Sequence, residues 1–283
     1  MRPGPLVGFH VSISGSLDVS VDNALAMGCT TFQIFTRNPR QWAFKPLGDE
    51  QAQLFKQKRR KAGFEKVVAH MPYLPNLSAS DPPYQKKSRE SLKAEVARCS
   101  NLEIDYLVAH IGSHMGKGTM TGVKNVIGAC NEALAASPGR TTLLIETMAG
   151  QNHSVGSRFE ELRLILDGVK ESERMGVCFD TCHVFAAGFD LSSKAAVERT
   201  MGLFGDVVGK ERLKVVHLND SKGPVGSGLD RHEYVGHGQI GEKGFRAFLH
   251  YGDVAKLPII MEVPVEEKTQ YEENLRLARR LIA

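Results

Sequence analysis

The chain has 283 residues, 42% hydrophobic and 24% charged, with 28 Gly and 12 Pro. That composition excludes a disordered or fibrous protein, and no run reaches the ~18 consecutive apolar residues of a membrane span. Thirty-six basic against 32 acidic side chains leave +4, a mild excess that admits a nucleic-acid partner without requiring one.

In chain order, the first strand-like run covers residues 6–10, and the segment leading into it lacks the long apolar core of a signal peptide, so export is not expected. Further runs follow at 31–36, 66–70, 106–110, 141–146, 176–180, 214–218 and 258–262. Their interiors, such as Val67-Val68-Ala69, Leu143-Leu144-Ile145 and Ile259-Ile260-Met261, are apolar without alternation. Strands buried on both faces of a parallel sheet have this pattern. Between the runs the period becomes helical: Val123, Val126, Ile127, Cys130 and Leu134 share one stripe, as do Phe159, Leu162, Leu166 and Val169. Tyr271, Leu275, Ala278 and Leu281 repeat it near the C-terminus. Eight strand-then-helix units of about 35 residues suit an α/β protein built as one (β/α)8 TIM barrel, its active site at the C-terminal strand ends. No composition shift or linker divides residues 1–283, so one domain is expected. Periodicity alone leaves a doubly wound open sheet as the alternative.

The residue closing each run carries the chemistry. The third run ends in His70, the fourth in His110, the fifth in Glu146 and the sixth in Asp180; the seventh carries His217, the eighth ends in Glu262, and the first in His10. Any one of these is ordinarily a satisfied polar residue or a helix cap, but in a barrel all of them converge on one mouth. Crowded carboxylates would repel and protonate unless a divalent cation sat among them. Asp180-Thr-Cys-His183 adds an imidazole just past a strand, and Asp230-Arg-His232 follows the seventh run in a loop rich in glycine (Gly223, Gly226, Gly228, Gly236, Gly238). In extended backbone Asp230 and His232 face the same side.

Five histidines and four carboxylates exceed the roughly four donors of one zinc, but suit two or three ions when a carboxylate bridges. The histidine-rich mixture favours zinc, with manganese or iron as substitutes, over magnesium or calcium. The cysteines, at 29, 99, 130, 178 and 182, are odd in number and form no CxxC pair, so a reducing, cytoplasmic setting is expected. Cys178 is expected to point away from the side that Asp180 leads, and both Cys178 and Cys182 to serve packing.

Three blocks, Ile145-Glu-Thr-Met-Ala-Gly150, Gly176-Val-Cys-Phe-Asp-Thr-Cys-His183, and His217-Leu-Asn-Asp-Ser-Lys222 leading to Asp230-Arg-His232, resemble the endonuclease IV family of apurinic/apyrimidinic endonucleases. Gly8-Phe-His-Val-Ser12 and Phe35-Thr-Arg-Asn-Pro-Arg-Gln-Trp42 extend the likeness over nearly the whole chain. The resemblance implies a monomeric zinc-dependent hydrolase of DNA base-excision repair. It would cut duplex DNA on the 5′ side of an abasic site, leaving a 3′-hydroxyl and a 5′-deoxyribose phosphate, and would trim blocked 3′ ends. It also implies three Zn2+ ions, one held by His70 and His110 with Glu146 bridging, one by Glu146, Asp180, His217 and Glu262, and one by His183, Asp230 and His232. Four carboxylates against three divalent ions leave a formal charge of about +2, suited to a phosphodiester. Glu146 would orient the nucleophile and accept its proton.

By family position Arg40, Tyr73 and Leu74 would fill the gap left by an extruded nucleotide, and Asn38 and Gln41 would touch the backbone. Arg37, Lys45 and Arg231 are candidates for phosphate contacts, and Trp42 either stacks in the groove or anchors its loop. The chain departs from the family in Gly236-His237-Gly238, where bacterial members usually carry a carboxylate between the glycines, and in His70-Met-Pro-Tyr73. A metal-dependent sugar isomerase or epimerase of the xylose-isomerase kind is the competing enzyme. It accounts for Glu146, Asp180, His217 and Glu262 but leaves His183, Asp230, His232, Arg40 and the Tyr73-Leu74 pair without a role. A lesion- or metal-binding protein without catalysis is the third reading.

Overall fold

Every apolar run becomes a strand in the computed structural model, which describes residues 4–262 and 268–283. The strands are β1 (Val7–Phe9), β2 (Phe32–Phe35), β3 (Val67–His70), β4 (Tyr106–Ala109), β5 (Thr142–Glu146), β6 (Met175–Asp180) and β7 (Leu213–His217), then β8 (Asp220–Ser221), β9 (His232–Glu233) and β10 (Ile259–Met261). β1 to β7 and β10 pair in parallel in the order β1-β10-β7-β6-β5-β4-β3-β2. The two outer members, β1 and β2, meet through a parallel bridge between His10 and Gln33, and the Val11 amide donates to the Gln33 carbonyl at 2.7 Å. The sheet therefore curls into a TIM barrel rather than an open doubly wound sheet.

Helices separate the strands where the 3.6-residue stripes fall: Thr119–Ala136, Phe159–Gly168 and Lys268–Ile282 carry the three read from sequence. Their starts have local causes. Asp81 caps Pro82–Asn101 by accepting from the Tyr84 amide at 3.1 Å, with proline in the first turn, and Ser193 caps Lys194–Val207. No helix among the described residues is long and apolar enough to cross a membrane. The five cysteines are buried and unpaired.

The barrel has two apolar layers. Phe9, Phe32, Ile34, Val67 and Leu107 belong to the large core between sheet and helices. Val68, Val108, Leu144, Cys178, Val215 and Ile260 form a separate plug, one residue from each of six strands. Adding two to each number gives His70, His110, Glu146, Asp180, His217 and Glu262. Strand side chains alternate with a period of two, so these polar residues stand one layer above the plug, at the C-terminal mouth. Cys178 thus shares a face with Asp180 and does not point away from it as expected; it packs inside the barrel beneath the carboxylate. Its packing role stands.

β8 and β9 form a short antiparallel ladder, Asp220 opposite Glu233 and Ser221 opposite His232. It folds the glycine-rich segment, expected only as a loop, back over the mouth.

Closure depends on Gly8. A Cβ built there would lie 1.8 Å from the Thr31 carbonyl oxygen, so only glycine lets β1 approach β2. Gly8→Ala should therefore cost about 1–3 kcal/mol or more, by overpacking of a rigid backbone. Equilibrium urea unfolding checks this; an unchanged midpoint would contradict it.

Candidate metal centre

Glu146, at the end of β5, has no exposed surface, and its two oxygens face different imidazoles. Oε2 lies 3.2 Å from His70 Nε2 and 3.0 Å from His110 Nε2; Oε1 lies 2.9 Å from His217 Nδ1. The His217 Nδ1 atom is also 3.3 Å from Glu262 Oε2 and 3.8 Å from Asp180 Oδ2. Beyond β6, Asp180 caps a short helix, Thr181–Ala186, accepting from the His183 amide at 2.8 Å, and so fixes where that imidazole leaves the backbone. His183 Nε2 and His232 Nε2 then approach Asp230 Oδ1 at 3.1 and 3.3 Å.

All nine residues expected at the site come together in three groups, the first two overlapping at Glu146: His70, His110 and Glu146; Glu146, Asp180, His217 and Glu262; and His183, Asp230 and His232. Within each group the donor atoms lie within 4.8 Å of one another. Cys182 also falls near Asp180 and His232, but its thiol points at the Arg231 carbonyl at 3.7 Å and burial pushes it up to about 12.

Two features fit a cation. The Nε2 atoms of His183 and His232 are buried without an aligned hydrogen bond, although both lie within 3.3 Å of the same carboxylate oxygen. The donors are imidazole nitrogens and carboxylate oxygens, the set that zinc, manganese and iron accept.

Without a cation, protons balance the charge. Burial opposes ionisation of Glu146 and Glu262, yet His110 and His217 beside the first, and His217 and His10 beside the second, hold both carboxyls well below their usual range. Burial likewise disfavours charge on His183 and His232; Asp180 and Asp230 nevertheless hold His183 well above an ordinary imidazole, and His232 is pushed up to about 9.

Sequence reasoning passed over the residues that hold these donors. Asn219 donates to Asp180 Oδ2 at 2.6 Å and accepts from the Glu262 amide at 2.8 Å. Asp220 accepts from the amides of Gly236, Gly238, Ile240 and Gly241 at 2.9–3.2 Å, anchoring the segment after Asp230 and His232. At Gly238 a Cβ would sit 2.6 Å from Asp220 Oδ1. None of these bonds uses the His237 side chain, which is exposed and faces Tyr234 at 6.4 Å. Asn219 and Asp220 lie within the stretch 217–222, and a polar residue following a strand is the signal that marks them.

The candidate DNA contacts divide. Tyr73 is 59% exposed and stands at the mouth, its ring 5.5 Å from His70 and 5.8 Å from His110, with half-buried Leu74 beside it. Asn38, Arg40, Gln41, Lys45 and Arg231 are exposed. Arg37 is not available for phosphate: it is buried, pairing with Glu95 at 2.5 Å and donating to Ser91 and the Gln41 carbonyl. That network holds the loop on which Arg40 and Gln41 are displayed. Trp42 packs edge-on against Tyr84 at 5.6 Å, the anchoring alternative.

A family model described as a xylose isomerase-like TIM barrel matches residues 21–281. A probable endonuclease 4 from Methanoculleus marisnigri is 47% identical over 277 residues, 98% of each chain. The crystal structure of endonuclease IV from Thermus thermophilus superposes with a TM-score of 0.88 at 34% identity, covering 98% of this chain and 99% of that one. A D-tagatose 3-epimerase-like protein shares the fold alone, with a TM-score of 0.72 at 17% identity.

The charge balance gives a pH test. His232, raised to about 9, stabilises the metal-free fold fully below the ordinary imidazole value of ~6.5, and that contribution fades as the pH rises through about 9. Glu146 and Glu262, held low, contribute above the ordinary carboxylate value of ~4.3 and lose that contribution as the pH falls. Chelator-treated protein should accordingly show urea midpoints that drop on both sides of neutrality. A flat profile from pH 7 to about 10 would refute the imidazolium assignment.

Proposed function

Because the chain belongs to the endonuclease IV family, we propose that it is a DNA-repair endonuclease hydrolysing the phosphodiester 5′ to an abasic site in duplex DNA, leaving a 3′-hydroxyl and a 5′-deoxyribose phosphate. It works as a single domain over residues 1–283, as a cytoplasmic monomer, and also trims blocked 3′ ends. Three Zn2+ ions serve it, with Mn2+ or Fe2+ as partial substitutes. His70, His110 and Glu146 would hold the first, Glu146, Asp180, His217 and Glu262 the second, and His183, Asp230 and His232 the third.

One observation carries this reading. The donors fall into three groups side by side at one mouth, two of them sharing the buried carboxylate of Glu146. The sugar-isomerase alternative uses the strand-end carboxylates but gives no task to the group of His183, Asp230 and His232, or to the exposed Arg40 and Tyr73. A purely binding role has no use for so many converging donors.

Bound zinc lowers the pKa of water to about 7 and offsets negative charge on a phosphoryl group. The chain's own residues supply the rest. Glu146 Oε1 and Oε2, fixed between two sets of imidazoles, orient the attacking water and accept its proton. The exposed Tyr73 ring, with Leu74 and Arg40, occupies the space an extruded abasic nucleotide leaves in the stack. Asn38, Gln41 and Arg231, on exposed loops around the mouth, contact the sugar-phosphate backbone, so affinity falls with added salt.

Glu146→Gln should lower single-turnover cleavage of an abasic duplex by about 10^2–10^4-fold while leaving duplex binding intact. Retained turnover in that variant sinks the assignment. Tyr73→Ala should weaken binding of the abasic duplex by about 1–3 kcal/mol, the worth of one stacking contact, with zinc content unchanged. Gel-shift titration beside metal analysis separates the two effects. Chelation followed by zinc addition should abolish and then restore nicking; ketose–aldose turnover with no nicking would favour the isomerase.

A further inference from the structure

Four imidazoles of the centre have one ring nitrogen directed outward, and what meets it differs. His70 Nδ1 lies 2.6 Å from the Met71 carbonyl, His183 Nδ1 2.8 Å from the Thr147 carbonyl, and His232 Nδ1 3.2 Å from the Glu262 carbonyl. A carbonyl only accepts, so each of these rings carries an N–H on Nδ1 and leaves Nε2 as the inward nitrogen that a cation would take in place of a proton. His217 is reversed. Its Nδ1 faces Glu146, Asp180 and Glu262, and its Nε2 lies 2.8 Å from Oε1 of Gln33. Here a side chain, not the backbone, decides which nitrogen is free.

The Gln33 amide has one acceptable orientation. Its nitrogen is 2.6 Å from Glu262 Oε1, a distance at which an amide oxygen would repel the carboxylate. The second N–H of that nitrogen is directed at His10 Nδ1, 3.0 Å away. The oxygen is thereby left for His217, whose Nε2 must bear the proton. Gln33 has no exposed surface, and its backbone is held at the seam where the barrel closes, bridged to His10. The side chain has no solvent-facing alternative.

We propose that Gln33 is the positioning residue of the second metal group, selecting Nδ1 of His217 and Oε2 of Glu262 as the atoms offered to the ion. The proposal rests on the three-ion reading above. One amide engages the outer atoms of two donors at once, and such outer contacts are worth about 10–100-fold in metal affinity.

The test compares zinc-loaded wild type, Gln33→Met and Gln33→Glu, dialysed against graded chelator, with zinc per chain measured by mass spectrometry. Gln33→Met keeps the length and removes both polar atoms; Gln33→Glu keeps an acceptor for His217 but sets an oxygen against Glu262. Both should release one equivalent of zinc at about 10–100-fold lower chelator strength, the other two leaving as in wild type. A packing role alone would lower the urea midpoint of metal-free Gln33→Met and leave zinc retention unchanged, and that result overturns the proposal. Nitrogen-15 histidine spectra of the zinc-loaded wild type need no variant: His217 should carry its proton on Nε2 while His70, His183 and His232 carry theirs on Nδ1. A proton on Nδ1 of His217 overturns the proposal as well. Wild type that retains no zinc would instead overturn the metal reading itself.

Discussion

A carboxylate with no exposed surface, Glu146, sits at the centre of this molecule, and the structure around it answers its charge. Leaving such a group ionised and unpaired in the interior costs several kcal/mol, so it must protonate, pair or bind a cation. His70, His110 and His217 surround it within 3.2 Å, and no lysine or arginine is paired with it among the described residues. Imidazole is the one common partner that can either keep a proton or surrender it near neutrality. A carboxylate caged by guanidinium would be permanently neutralised; one caged by imidazole can exchange protons for metal. This choice of partner distinguishes a structural ion pair from a centre open to divalent cations, and the other carboxylates, Asp180, Asp230 and Glu262, are met in the same way.

Barrel geometry makes that arrangement possible. The plug of Val68, Val108, Leu144, Cys178, Val215 and Ile260 excludes water from below, and the strand period lifts the next side chain of each strand into the layer above it. The same dry floor that makes the charges expensive also strengthens every attraction between them. Closure is part of the chemistry too. The seam between β1 and β2 pairs His10 with Gln33, and Gln33 reaches His217 on β7 and Glu262 just past β10. A barrel that failed to shut at Gly8 would not merely be less stable; it would lose an amide that orients two donors.

The strands, their parallel order and the convergence of the nine candidate residues were legible because most of them rest on a strong local signal. An apolar run with a ligating residue at its end marks a buried strand whose tip reaches the mouth, and six such runs among eight make the pattern hard to produce by accident. Gln33 was not legible for the opposite reason. It lies in the interior of Phe32–Phe35, where a polar residue between apolar ones looks like an ordinary alternation, and only the three-dimensional seam brings it to His217. Arg37 misled because an arginine in a basic, proline-containing loop suggests solvent and phosphate; nothing local reveals that Glu95, 58 positions away, buries it. The orientation of Cys178 was an error of counting: positions two apart on a strand face the same way, and Asp180 follows Cys178 by two.

The three donor groups do not depend equally on the barrel. His70, Glu146, Asp180 and His217 are strand residues, with His110 and Glu262 one position beyond their strands, so the first two groups come with the shared fold. The third does not. His183 is carried by a six-residue helix started by the Asp180 cap, and Asp230 and His232 by a segment folded back through β8 and β9. That segment is pinned by Asp220, whose carboxylate gathers backbone amides from both sides of His237. Removing the ladder would leave a barrel whose strand ends still offered two overlapping groups. Chemistry grafted on a shared fold is settled by such additions rather than by the sheet. The addition here brings two imidazoles to one carboxylate oxygen with no aligned hydrogen bond to occupy their Nε2 atoms, an arrangement that a metal ion resolves and a sugar hydroxyl does not require.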